Sequence, residues 1–162
     1  MKNRAIRWVV LFSLLIFSFS CNNLQRQHEL TSIEFLSAPG AEKLALPFSE
    51  AVRVDNMLYL SGQVGTVPGT TELVPGGISE ETRQALENIK MILERNGSSL
   101  NRVVKCTVFL ADINEWPDMN EVYRTYFPKA PPARSAIAAS GLGLNARVEI
   151  ECIAVVCQEY HQ

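Results

Sequence analysis

The stretch from Ser79 to Asn96 limits this chain more than any other. Leu86, Ile89 and Leu93, with Ala85 and Ile92, recur at helical spacing and form a single apolar stripe. Ser79 can cap such a helix, Glu80 and Glu81 suit its positive end, and Gly97 can end it. A helix that is apolar on one side must lie on a second layer. The rest of the chain supplies that layer as strand-like runs: Ile33 to Leu36, Ala51 to Val54, Met57 to Ser61, Val103 to Leu110, Arg134 to Ala139 and Arg147 to Val156. Asp55-Asn56 is a natural turn between two of them. A second helix is predicted over Asn114 to Phe127, with Trp116, Met119, Tyr123 and Tyr126 on one side, Pro117 tolerated in its first turn, and Pro128, Pro131 and Pro132 after it. Gly62 to Gly77 reads as loop. Its glycines lack the Gly-Lys-Ser/Thr ending of a phosphate cradle. The order β-β-β-α-β-α-β-β predicts a two-layer α+β domain, about six strands with two helices on one face. The other face keeps apolar residues, so the chain is expected to associate with copies of itself.

The first residues differ in kind. Lys2, Arg4 and Arg7 precede an apolar run from Trp8 to Phe19, which is short for a bilayer span, and Ser20 leads to Cys21. This is the layout of a signal peptide over residues 1–20. A cysteine at that point is expected to be acylated, as in bacterial lipoproteins, although Ser18 and Phe19 are not the usual aliphatic and small pair. Plain secretion and a retained membrane anchor are the alternatives. Residues 21–32 read as a polar tether and 33–162 as one domain. The expected address is outside the cytoplasm, with membrane contact only through the lipid.

Losing Lys2, Arg4 and Arg7, and no acid, takes the formal charge from −2 to −5. An acidic domain argues against general nucleic-acid binding. His28 and His161 lie near the ends, so a histidine-based triad has no histidine within the domain. No Cys/His cluster points to a metal. Cys106, Cys152 and Cys157 follow Cys21. An exported protein could pair two of them, but Cys152 and Cys157 share one strand at a spacing too long to bond, and buried free thiols are the expectation.

The candidate chemistry lies in Pro132-Ala133-Arg134-Ser135 and Arg147-Val148-Glu149-Ile150-Glu151. Arginine offers a planar fork matched to a carboxylate, and a glutamate can activate water. A structural ion pair is the plain alternative for Arg134, and Glu151, on the same strand face, rivals Glu149.

These motifs occur in order with Pro47-Phe48-Ser49-Glu50-Ala51-Val52, Leu60-Ser61-Gly62-Gln63, Thr82-Arg83-Gln84-Ala85-Leu86-Glu87-Asn88, Val104-Lys105-Cys106-Thr107-Val108-Phe109-Leu110 and Asn120-Glu121-Val122-Tyr123. From about Pro47 to Val156 the chain resembles the Rid family (YjgF/YER057c/UK114). The resemblance implies a chorismate-mutase-like fold and a homotrimer with clefts between subunits. It implies hydrolysis of reactive enamines and imines of the 2-aminoacrylate type to 2-oxo acids and ammonia, with no cofactor. It makes Arg134 the grip on a small carboxylate substrate and places Glu149 near the water. Ser61 and Gly62 would line the cleft, Ser61 more through its backbone than its hydroxyl. Ser135 and Asn120 would lie nearby, with helix packing or capping the other reading of Asn120. Phe48 stands where the family commonly has tyrosine and is either a pocket wall or core. Ala136 stands where a cysteine is often found. A trimeric module that binds small carboxylates without turnover is the main alternative. An endoribonuclease or translation inhibitor is a weaker one, disfavoured by the acidic balance.

If residues 1–21 act as read, mass spectrometry of the membrane fraction will find a mature chain beginning at acylated Cys21. A soluble cytoplasmic protein that keeps Met1 refutes this address.

Overall fold

The computed structural model describes residues 31–38, 40 and 46–157. The segment read as a signal peptide, Cys21, most of the tether and both histidines lie outside the described residues. No helix among the described residues is long and apolar enough to cross a membrane.

The strands are β1 (Ile33–Leu36), β2 (Ala51–Val54), β3 (Met57–Leu60), β4 (Gln63–Val64), β5 (Val103–Leu110), β6 (Ala133–Ala138) and β7 (Val148–Val155). The helices are α1 (Gly77–Arg95) and α2 (Trp116–Tyr126). One seven-stranded sheet runs β1-β2-β3-β7-β5-β6, with β4 added on β7. The β5–β6 pair is parallel, and the other pairs are antiparallel. A parallel neighbour needs a crossover, and α2 supplies it between β5 and β6. The α+β architecture, with a mixed open sheet and two helices, is the one expected.

Two local expectations need correction. The stretch read as loop contains β4, because Gln63 and Val64 pair with Ile150 and Glu149 of β7. Asn88 of α1 holds that segment in place: its amide nitrogen donates to the carbonyls of Val64 at 3.2 Å and Thr66 at 3.0 Å. Ser79 is not the helix cap. The helix opens at Gly76 and Gly77, both at positive φ (116° and 72°), a backbone that glycine adopts without steric cost. The turn at Asp55 (φ 51°) and the stop at Gly97 (φ 74°) are where the sequence put them.

The strands alternate by burial. Val148, Ile150, Cys152 and Ala154 of β7 join Cys106, Val108 and Leu110 of β5 in one core with Leu86, Ile89 and Leu93 of α1 and Met119 and Tyr123 of α2. Each large apolar side chain so buried contributes about 1.5–3 kcal/mol. A bond from the Tyr126 hydroxyl to Glu87 at 2.8 Å ties the two helices together, and burial with that acceptor pushes the phenol up to about 12. The opposite sheet face carries Phe35, Val52, Tyr59, Ile153, Phe109 and Ile137 by the register of the strands. Phe35, Tyr59 and Ile137 are 75%, 44% and 54% exposed.

Gly65 shows how tightly α1 lies on this sheet. A methyl group there would sit 2.6 Å from the Glu81 Cα, a backbone atom that cannot swing away. Gly65→Ala is expected to cost about 1–3 kcal/mol in urea unfolding. Gly141, with nothing within 4 Å, is the control, and Gly141→Ala should stay within about 0.5 kcal/mol.

Candidate active site

The candidate residues fall into two groups on two different surfaces. The first is at the β6 edge of the sheet. Arg134 lies beside Cys106 in the parallel β5–β6 register, so both point to the helix side. There the guanidinium carbon lies 4.5 Å from the Tyr123 ring centroid and 5.8 Å from that of Trp116, with the Met119 sulfur 4.0 Å from Nη1. Both aromatic contacts are in cation–π range. Arg134 has no carboxylate partner among the described residues, so the ion-pair alternative finds no support there. Asn120, Tyr123, Arg124, Phe127, Pro131 and Arg134 line an open depression of about 350 Å³. Two cations, an amide and aromatic walls suit a small anion with an apolar body.

The second group is where β3 turns into β4. Gly62 lies directly against the Glu149 side chain: a Cβ at residue 62 would overlap the carboxylate. The Ser61 hydroxyl donates to the Ser49 carbonyl at 2.7 Å, and its backbone N–H donates to Glu50 at 3.0 Å, so Ser61 anchors the segment carrying Phe48. Phe48 is 55% exposed and not in the core. Two buried helix residues fix this corner. Glu81 accepts from the backbone N–H of Arg147 at 2.7 Å, next to the start of β7, and Asn88 holds β4.

One chain does not bring the two groups together. Val148 and Ile150 point into the core, so Glu149 points to the opposite face, away from Arg134. Arg134 is level with Cys106 on β5 and Glu149 with Phe109, three residues along and two strands across. That puts their backbones roughly 14 Å apart. Ser135 also departs from the expected cluster. It faces away from Arg134, and its hydroxyl accepts from the Lys105 ammonium at 2.8 Å. Glu151 lies level with Ser135 through Thr107, on the same face as Glu149, and is exposed.

The family model described as endoribonuclease L-PSP matches residues 38–156 of the chain. The chain belongs to the Rid (YjgF/UK114) family. A Mus musculus protein named 2-iminobutanoate/2-iminopropanoate deaminase is 51% identical over 109 residues, which is 67% of this chain and 81% of the mouse protein. Among solved structures, a Rid protein from Yersinia pestis shares 36% identity at a TM-score of 0.71, covering 77% of this chain and all of its own. E. coli TdcF, solved with bound serine, shares 32% identity at a TM-score of 0.65, covering 75% of this chain and 93% of its own.

Within this Rid chain, Trp116 and Tyr123 do more than form an apolar helix side, since both rings lie against the Arg134 guanidinium. The signal available was an aromatic pair on a helix leading into Pro-Ala-Arg-Ser. Cys157 also departs from expectation: it is exposed, while Cys106 and Cys152 are buried.

Gly62→Ala tests the contact with Glu149. The added methyl displaces the carboxylate and leaves the backbone alone. Urea stability should hold within about 1 kcal/mol, while any imine hydrolysis found for the unsubstituted chain, followed by ammonia release, should fall roughly 100-fold.

Proposed function

We propose that this Rid protein hydrolyses 2-imino acids and their enamine tautomers to 2-oxo acids and ammonia, in clefts shared between copies of a homotrimer. The observation that carries the reading is Arg134. Its guanidinium rests on aromatic rings, free of any acid among the described residues, in a depression sized for a small molecule. The name of the mouse relative and the serine in the E. coli structure support it, because an imino acid and serine share the carboxylate that Arg134 would hold. The two half-sites and the uncovered apolar face support assembly. A second copy that covers this face can carry its Arg134 edge to Glu149.

The chemistry asks little of the protein. An imine carbon is already electrophilic. Arg134 pairs with the substrate carboxylate through its fork, and Asn120 lies beside it. Glu149 accepts a proton from water as the water oxygen attacks C2 and passes that proton to the imine nitrogen, giving a neutral carbinolamine. Glu149 then takes the hydroxyl proton as the carbonyl forms and delivers it to the departing amine. Ammonia leaves and Glu149 ends as the carboxylate. Gains come from orientation and proton transfer. The lipid-anchored, exported address belongs to the same proposal. One observation favours a binding-only module: Phe48 carries no hydroxyl where the resemblance places a tyrosine. Retained 2-oxo acid binding with no turnover of an enzymatically generated enamine would assign that role.

Arg134→Lys keeps the charge and loses the fork, so 2-oxo acid binding should weaken by about 1–3 kcal/mol in calorimetry. Glu149→Gln should bind normally and slow ammonia release roughly 100-fold, with Glu151→Gln mild. An essential Glu151 would move the role to that residue, and a wild-type rate in Glu149→Gln would sink the mechanism.

Light scattering should give about three times the monomer mass. Mixing the Arg134→Lys and Glu149→Gln chains should then restore about a quarter of wild-type activity, the share of interfaces pairing intact halves. No recovery on mixing would place both residues in one chain's site.

A further inference from the structure

One cluster of reactive groups has no part in the chemistry above. Cys106 of β5 and Cys152 of β7 stand directly opposite each other across an antiparallel pair. Such residues have Cα atoms about 4.5–5.5 Å apart, inside the range a disulfide spans. Their sulfurs lie 2.9 Å apart, so bonding needs less than about 1 Å of further approach. Both thiols are buried, at 1% and 2% exposure, and Cys157 is exposed two residues beyond β7. The charged and titratable neighbours of the pair are Tyr123 from α2, Arg134 from β6, Lys105 from β5 and Glu151 from β7. The Cys152 thiol and the Tyr123 hydroxyl, with the two cations, hold the Cys106 thiol below its ordinary range, while Cys106 and burial push Cys152 up.

We infer that Cys106 and Cys152 are a disulfide site, a covalent link between β5 and β7 beneath Arg134. The oxidant is a small-molecule or protein disulfide, as met in an oxidising compartment. The Cys106 thiolate attacks one sulfur of that disulfide and expels a thiolate. Cys152, deprotonated, attacks the Cys106 sulfur of the mixed disulfide and expels the second. Two cysteine thiols are oxidised, one disulfide is reduced, and the two protons end on the expelled thiols. The burial of both sulfurs places the reaction during folding, before α2 covers them. The closed loop joins positions 46 apart in the chain, so the bond restricts the unfolded ensemble strongly.

The test needs neither the exported address nor the deaminase reading. The full chain is unfolded in guanidinium chloride and refolded with detergent present, either in oxidised and reduced glutathione or in dithiothreitol. Free thiols are then alkylated in denaturant, and the chain is digested without reduction for mass spectrometry. The expected result is a peptide pair joining Cys106 to Cys152, with Cys157 alkylated, and a higher urea midpoint than for the dithiothreitol sample. Cys157→Ser should form the same link. Alkylated Cys106 and Cys152 after glutathione refolding, a bond through Cys157 in their place, or a lower midpoint in the linked protein would each overturn the inference.

Discussion

Strict alternation along β7 decides what the rest of the molecule can do. This strand pairs with β3, β4 and β5, so it holds the sheet together from inside. Its even-numbered residues fill the core and its odd-numbered residues face the other way. A slip of one residue would bury Glu149 and Glu151 and expose Ile150 and Cys152, so the register is strongly specified. It is fixed further at its start, where the buried Glu81 carboxylate takes the backbone N–H of Arg147. The acid that would activate water thus owes its position in part to a second acid, the buried Glu81 on α1.

The same alternation separates Arg134 from Glu149. Arg134 follows Cys106 to the helix side at the sheet edge, and Glu149 goes to the open side with Phe109 and Ile153. A single chain therefore keeps the two candidate groups apart and has an apolar face with exposed Phe35, Tyr59 and Ile137. Both features point one way. In the proposed assembly, covering the face removes apolar area from water at about 25 cal/mol per Å², and the copy that covers it would bring its own sheet edge. Assembly and catalysis then have a common origin in the proposal, since the hydrophobic surface that drives association also carries Glu149.

Much of the fold was legible in the sequence because the local signals agreed. The stripe on α1, the Asp55 turn, Gly97 and Pro117 each say where an element begins, bends or ends, and the structure follows them. Two residues of β4 were not legible, because a strand that short has no period of its own. It exists through pairing with β7 and through the Asn88 amide, both set by distant residues. The cap at Gly76 was missed because Ser79 imitates a capping residue, while the actual entry depends on two glycines at positive φ. The identities of Arg134 and Glu149 stood out from residue chemistry. Their separation did not, since it depends on which strand lies between them. Ser135 was grouped with Arg134 by adjacency, yet neighbours on a strand face opposite ways.

The surroundings of Arg134 explain why arginine, and no other cation, suits this edge. The ring of Tyr123 lies beneath the planar guanidinium and that of Trp116 lies close by, so water is excluded from much of its faces. Nη1 lies 4.0 Å from the buried Met119 sulfur, a weak acceptor, and the guanidinium lines the open depression. A lysine ammonium has no flat face to stack and no fixed fork to aim. Stacking therefore does two things at once. It holds the guanidinium in place with only a weak sulfur acceptor engaged, and it lowers the local dielectric where a carboxylate would arrive, which strengthens each charged hydrogen bond formed there. Tyr123, buried and packed on Phe127 at 4.8 Å between ring centroids, cannot swing aside without opening the core. The place of the Arg134 guanidinium is thus set by the packing that holds α2 to the sheet.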